Sequence, residues 1–176
     1  MIFRSRSSFL GAGAALALVG ASRLHSFVSA ASAADPGDIE TLNSAIELEL
    51  AGIKAYDDAA ATRLLSRGQL KLALGFQRDH EAHYQALVIA VRSAGATPST
   101  TAAKLDYPLL RTQAEVLTFA MSIEEKAAST YLSVIPDLQD RRLAGIAASI
   151  LGVETVHAGL LAQALGLQVY PTSFVI

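Results

Sequence analysis

The segment Gly145–Leu161 constrains the chain most. From it into the next turn, Ile146, Ile150, Glu154, His157, Leu161 and Leu165 recur at the spacing of one face of an α-helix. A carboxylate and an imidazole thus occupy the middle of a stripe where the pattern calls for apolar side chains. Glu154 and His157, three residues apart, lie side by side on such a helix. A charge taken out of water without a partner is very costly. Any fold that buries this stripe must answer the pair with a metal, a counter-charge or water.

The rest of the sequence favours more helices of the same kind. Of the 176 residues 52% are apolar and only 6% aromatic, which suits an all-α fold better than a β-sandwich. The chain has no Cys, so disulfides and thiolate metal sites are excluded and imidazole and carboxylate are the available strong ligands. The apolar period predicts helices over about Ile39–Leu65, Gln69–Ala94, Thr112–Ile135 and Asp140–Leu165, with Asp38 or Thr41 capping the first. Their stripes are Leu42, Ala45/Ile46, Glu49, Ile53, Tyr56 and Ala60; Leu72/Ala73, Phe76, His80, His83, Leu87 and Val91; Leu117, Ala120/Met121, Glu124, Ala127/Ala128, Tyr131 and Ile135; and the one described above.

Connections follow from the turn signals. Ser66-Arg67-Gly68 reads as a tight turn, which lays the second helix antiparallel to the first. Gly95 followed by Pro98 ends the second helix, and Gly166 ends the fourth. Residues 96–111 hold two prolines and no helical period; fully extended they reach roughly 50 Å, enough to cross the length of a helix. Pro136–Asp140 reads as a short turn, and the apolar tail Leu167–Ile176 is expected to pack back on the helices.

The two halves of the chain match. An offset of 75 residues brings Glu49 onto Glu124 and Tyr56 onto Tyr131; an offset of 74 brings His83 onto His157, Leu87 onto Leu161 and His80 onto Glu154. Each half reads as a hairpin: one helix carries a core Glu with a Tyr two turns later, the other a core His/Glu-x-x-His. Two such hairpins joined by a crossover make a four-helix bundle with approximate two-fold symmetry. Glu49, His80, His83, Glu124, Glu154 and His157 then stand at matching heights on four facing stripes, as candidate metal ligands. Asp79 lies at the edge of the same face, and Glu81 points toward solvent. His80-Glu81-Ala82-His83 is not a zinc-protease motif, since its histidines are three rather than four apart. Carboxylate and imidazole donors without sulfur suit Fe, Mn or Zn rather than Cu(I).

Leu48-Glu49 with Tyr56, Ile123-Glu124 with Tyr131, and Glu154-x-x-His157 resemble the ligand pattern of the ferritin-like di-iron and di-manganese carboxylate bundles. Asp79-His-Glu-Ala-His83 and Tyr170-Pro-Thr-Ser-Phe174 resemble segments of bacterial secreted ferritin-like domain proteins. The resemblance spans residues 38–176 or so. It implies a ferritin-like four-helix bundle of two antiparallel hairpins joined by a long crossover. It further implies a pair of Fe or Mn ions, with Zn also compatible, and ferroxidase, O2, peroxide or iron-handling chemistry. A non-catalytic metal-binding or stress-protective bundle is the alternative, and a haem held by His83 and His157 a third reading. Tyr56 and Tyr131 read as core residues whose hydroxyls bond a buried carboxylate, or as redox residues. One departure stands out: the pattern's helix 2 Glu is His80 here. Glu49, His80 and His83 then form one site and Glu124, Glu154 and His157 the other, bridged by Glu154 and water; or Asp79 supplies the missing carboxylate; or only the second site forms.

The N-terminus points outward from the cytoplasm. Arg4 and Arg6 precede the mildly apolar run Phe9–Ala21, and Ala31-Ser-Ala33 fits a cleavage site, so residues 1–33 read as a signal peptide. Ser5-Arg6-Ser7-Ser8-Phe9-Leu10 resembles a twin-arginine export signal, with Ser7 where the second Arg belongs. Residues 34–176 are the bundle domain, expected in a periplasmic or other extracytoplasmic compartment. They carry 11 Lys and Arg against 16 Asp and Glu, a net −5 with no basic stripe, which argues against nucleic acid as a partner. Metal ions, O2 and peroxide are the expected partners. A homodimer is compatible with the sequence; a cage is not implied, as no fifth helix follows the fourth.

Overall fold

A computed structural model of the chain describes residues 35–169. Residues 1–34, which include the expected signal peptide, and residues 170–176 of the tail lie outside them. Four helices run in order: α1 (Pro36–Ala61), α2 (Arg67–Ser93), α3 (Gln113–Val134) and α4 (Arg141–Ala164), with a 3₁₀ turn at Ile135–Asp137. All four lie where the apolar period puts them, and the described residues hold no strand.

The helix ends are written in local chemistry. Thr112 and Glu115 form a reciprocal capping box that starts α3, and Asp140 caps α4 through the Arg142 N–H. Gly95 and Gly166, at φ 77° and 72°, take the left-handed conformation that closes α2 and α4, as expected. Two expectations need correction. The cap of α1 is Asp35, which accepts from the Gly37 N–H, with Pro36 at the first helical position. Asp38 is instead buried and accepts from the backbone N–H groups of Gln139 and Asp140, both at 2.9 Å, tying the start of α1 to the α3–α4 turn. The turn between α1 and α2 comes earlier than Ser66–Gly68: Arg63 takes φ 60° and Ser66 already caps α2. A left-handed Arg is a poor local choice, which is why sequence reading passes over it.

The expected crossover is present and is pinned along α1. The Ser99 N–H donates to the Asn43 side chain, the Ser99 hydroxyl to Glu47, and the Ala103 N–H to the Glu47 carbonyl. Farther up, Tyr107 packs on Phe119 of α3, which carries the chain across. α1 therefore pairs with α2 and α3 with α4, and the hairpins face each other with α1 opposite α3 and α2 opposite α4.

The core is split in two. Leu42, Ile46, Leu87, Val91, Leu143 and Ile150 pack one end of the bundle; Tyr56, Phe76, Leu117 and Leu161 pack the other. Fully burying each such aliphatic side chain stabilises the fold by about 1.5–3 kcal/mol. The layer between the two clusters is polar. In α1 the core face passes through Gly52 and Ala59 rather than the half-buried Ile53. By length and composition α4 is the one described helix apolar enough to cross a membrane, with mean hydropathy 1.5; here it packs on α3 and carries Glu154 and His157 into the polar layer. Past its end the Leu167 N–H donates to the Ala162 carbonyl and the Val169 side chain lies against Gly159, so the described start of the tail returns to the helix.

Candidate metal centre

The helical period turns all six candidate side chains into the mid-bundle layer. Glu49, His80, Glu124, Glu154 and His157 are at most 2% exposed, and His83 is largely buried. Their donor atoms form two groups that share members. Glu49, His80, His83 and Glu154 make one; His80, Glu124, Glu154 and His157 make the other. Within each group the donor atoms lie within 4.8 Å of one another.

Glu154 spans both groups with its two oxygens. Its Oε1 lies 2.9 Å from His83 Nδ1, and its Oε2 lies 3.4 Å from His157 Nδ1. His80 also spans them. Its Nδ1 lies 2.8 Å from Glu49 Oε2 and 3.7 Å from Glu154 Oε1, while its Nε2 lies 3.4 Å from Glu124 Oε1. Glu49 and His83 thus lie on one side and Glu124 and His157 on the other, with His80 and Glu154 common to both groups. Asp79 does not join either group. It sits on the partly exposed outer side and accepts a hydrogen bond from His157 Nε2 at 3.1 Å, which turns Nδ1 inward. That is the orienting hydrogen bond a ligating imidazole needs on its other nitrogen.

The tyrosines exchange between halves. The Tyr56 hydroxyl donates to Glu124, and the Tyr131 hydroxyl donates to Glu49 at 2.5 Å. Each glutamate is thus held by the tyrosine of the opposite hairpin, and the bundle's approximate two-fold becomes a physical lock. Tyr56 and Tyr131 are core residues whose hydroxyls serve buried carboxylates; burial and the adjacent glutamates push both phenols up, away from ionisation.

Charge balance in the metal-free cluster comes from protons. Burial alone favours neutral imidazoles, but hydrogen bonds to Glu124 and Glu49 outweigh it and push His80 up to about 11. His83, facing Glu154 and Glu49, and His157, facing Glu124 and Glu154, rise to about 9 against the same burial cost. Glu49 and Glu124 are buried too, yet the histidines hold them below the ordinary carboxylate range. Glu154 goes the other way: burial outweighs its histidines.

The donors fit a metal. Among the described residues, five buried side-chain atoms make no hydrogen bond, though they face one another at ion-pair distance: His83 Nδ1, Glu124 Oε2, both oxygens of Glu154, and His157 Nδ1. Native interiors leave few such atoms, and these five all belong to the two groups. A cavity of about 200 Å³ between α1 and α3 reaches the cluster, with Glu49 and His80 in its wall beside Gly52, Phe119 and Ile123. Leu105 of the crossover lines it too, with the exposed Asp106 and Lys126. A haem between His83 and His157 finds no such space, since the His80 ring stands 6.1 Å from one and 5.9 Å from the other, and Phe76 stacks on His157 at 3.9 Å.

Similarity to known proteins agrees with this architecture. A conserved hypothetical protein of Mycobacterium tuberculosis is 21% identical, over 78% of this chain and 96% of its own, with a TM-score of 0.67. A ferritin-like, diiron-carboxylate protein of Bacillus anthracis is 20% identical over 73% and 95%, with a TM-score of 0.63. A Rhodobacter capsulatus bacterioferritin, solved with a metal-free dinuclear site and haem iron, is 18% identical over 77% and 87%, with a TM-score of 0.68. At these identities the likeness is one of fold. No curated protein matches the sequence. The profile of the ferritin-like domain family matches residues 37–167, all four helices and nearly the whole described region, and the chain belongs to that family.

Proposed function

We propose that this protein is an exported ferritin-like protein that holds two iron or manganese ions in its mid-bundle layer and handles iron, O2 or peroxide there. The observation that carries the reading is the convergence on the two ligand groups of five buried donor atoms that make no hydrogen bond of normal geometry. The Bacillus anthracis neighbour, described as a diiron-carboxylate protein, supports the choice of iron.

Glu49, His80, His83 and Glu154 Oε1 would hold one ion, and Glu124, His157 and Glu154 Oε2 the other, with His80 Nε2 alongside. Such ions, when bound, supply one-electron steps to O2 or peroxide. The chain's own residues do the rest. Asp79 holds His157 in its ligating orientation, Tyr131 fixes Glu49 through Oε1 and leaves Oε2 to the histidines, and Tyr56 fixes Glu124 through Oε1, the oxygen that also faces His80 Nε2. Loading displaces protons from the three imidazoles, because metal and proton compete for the same nitrogens. The cavity between α1 and α3 admits small solutes, while two apolar clusters exclude bulk water above and below. Export rests on the Arg-led apolar segment and Ala31-Ser-Ala33.

Adding Fe(II) anaerobically and then O2 or peroxide tests the redox reading. Wild type should oxidise iron faster than buffer does, and Glu124→Ala should not. Equal rates for wild type and buffer would leave metal binding without catalysis. Mass measurement of the secreted chain checks export, with cleavage after Ala33 expected and an uncleaved cytoplasmic chain against it.

A further inference from the structure

The two halves differ at one buried pair. At the 75-residue offset Gly52 of α1 matches Ala127 of α3, and at the 74-residue offset His80 of α2 matches Glu154 of α4. The half with alanine carries the carboxylate; the half with glycine carries the imidazole. Space links the two changes. A Cβ on Gly52 would lie 3.0 Å from both Cε1 and Nδ1 of His80 and 3.2 Å from its Cδ2. These are atoms of a rigid ring that is 2% exposed and held by Glu49, so it has nowhere to swing. Gly75, Gly145 and Gly152 also sit inside helices, and a Cβ on them would meet nothing nearer than 3.9 Å; on Gly159 it would meet the Val169 side chain of the tail at 3.2 Å, not a ligand. Gly52 has no positive φ to justify it, and glycine inside a helix is less favourable than alanine.

We propose that Gly52 is the positioning residue for His80. Its missing side chain opens the slot in which the imidazole stands between the two ligand groups, with Nδ1 toward Glu49 and Nε2 toward Glu124. The Gly52–His80 pair together replaces the Ala–Glu pair of the other half, and gives the shared position nitrogen donors where Glu154 offers oxygens. The consequence for bound metal rests on the function proposed above; the steric pairing does not.

The test is a double-mutant cycle of wild type, Gly52→Ala, His80→Glu, and both together. His80→Gln supplies the same ring-free background should His80→Glu fail to fold. In chelator-treated protein, Gly52→Ala should lower the melting temperature by at least about 4 °C in the wild-type background. It should leave it level or raise it once the ring is gone. Equal lowering in both backgrounds overturns the pairing. Titration with Mn(II), followed by the electron paramagnetic resonance of free Mn(II), reads the positioning role. Gly52→Ala should weaken binding at least about tenfold, and Gly52→Ala with His80→Glu should recover it. Unchanged Mn(II) binding in Gly52→Ala overturns that role. If wild type binds no Mn(II), the metal reading falls while the melting cycle still decides the pairing.

Discussion

Raising the pH strips the metal-free site of its own counter-charges. His80, His83 and His157 stand at about 11, 9 and 9 in the folded chain, above the ordinary 6.5, because buried carboxylates outweigh the cost of burying the imidazolium. A folded-state pKa above the unfolded one stabilises the fold fully below about pH 6.5, and that contribution disappears as pH rises through the folded value. For His83 and His157 the shift from 6.5 to about 9 is worth at most roughly 3–4 kcal/mol each at roughly 1.4 kcal/mol per unit, less what solvent screens at the 12% exposed His83. The two share Glu154, so their contributions do not simply add. Losing about 3 kcal/mol from a domain of this size lowers the melting temperature by roughly 6–12 °C. Circular dichroism melts of chelator-treated protein should therefore be level between pH 5.5 and 6.5 and fall by about that much at pH 9. Added Mn(II) or Zn(II) should reverse the trend, its stabilisation growing with pH as protons cease to compete. A metal-free melting temperature that is flat from pH 6.5 to 9 would show neutral imidazoles in the fold and refute the charge balance described for the site.

Other perturbations separate the parts. Asp79→Asn removes the charge that orients His157 and should weaken Mn(II) binding about 10–100-fold, while the melting temperature of the metal-free protein barely moves, since Asp79 is largely exposed. Tyr131→Phe leaves Oε1 of Glu49 without its donor and should cost about 1–3 kcal/mol in urea unfolding; Tyr56→Phe at Glu124 should cost a similar amount, as the two-fold exchange requires. Asp38→Ala strands the buried-side N–H groups of Gln139 and Asp140 and should cost about 1–3 kcal/mol without changing metal affinity.

Much of this was legible in one dimension because charge interrupting an apolar period is a strong signal. Glu49, His80, His83, Glu124, Glu154 and His157 each break a stripe, and a helix turns every residue of a stripe the same way, so the six had to meet if the four helices packed. The internal repeat added the pairing of halves. Features that depend on a neighbour distant in sequence stayed hidden. Asp38 looks like a helix cap until the α3–α4 turn arrives beside it. Asp79 lies at the edge of a face, and only the placement of α4 shows that it serves His157 from outside. Tyr56 and Tyr131 sit two turns from the glutamates of their own helices, yet bond those of the opposite hairpin. Gly52 carries no side chain to signal anything; its meaning appears only when the His80 ring occupies the space above it. Arg63 is similar, since a left-handed turn at a non-glycine residue is fixed by the packing of the hairpin rather than by local preference.

The most direct measurement is the metal content of purified protein after anaerobic loading with Fe(II) and removal of excess, alongside Glu154→Ala. Among the described residues, Glu154 is the one carboxylate that belongs to both groups. Two irons per chain in wild type, with both lost or sharply weakened in the variant, is the expected result. Fewer than one metal ion per chain of any kind, or equal loading of the two proteins, would contradict the account.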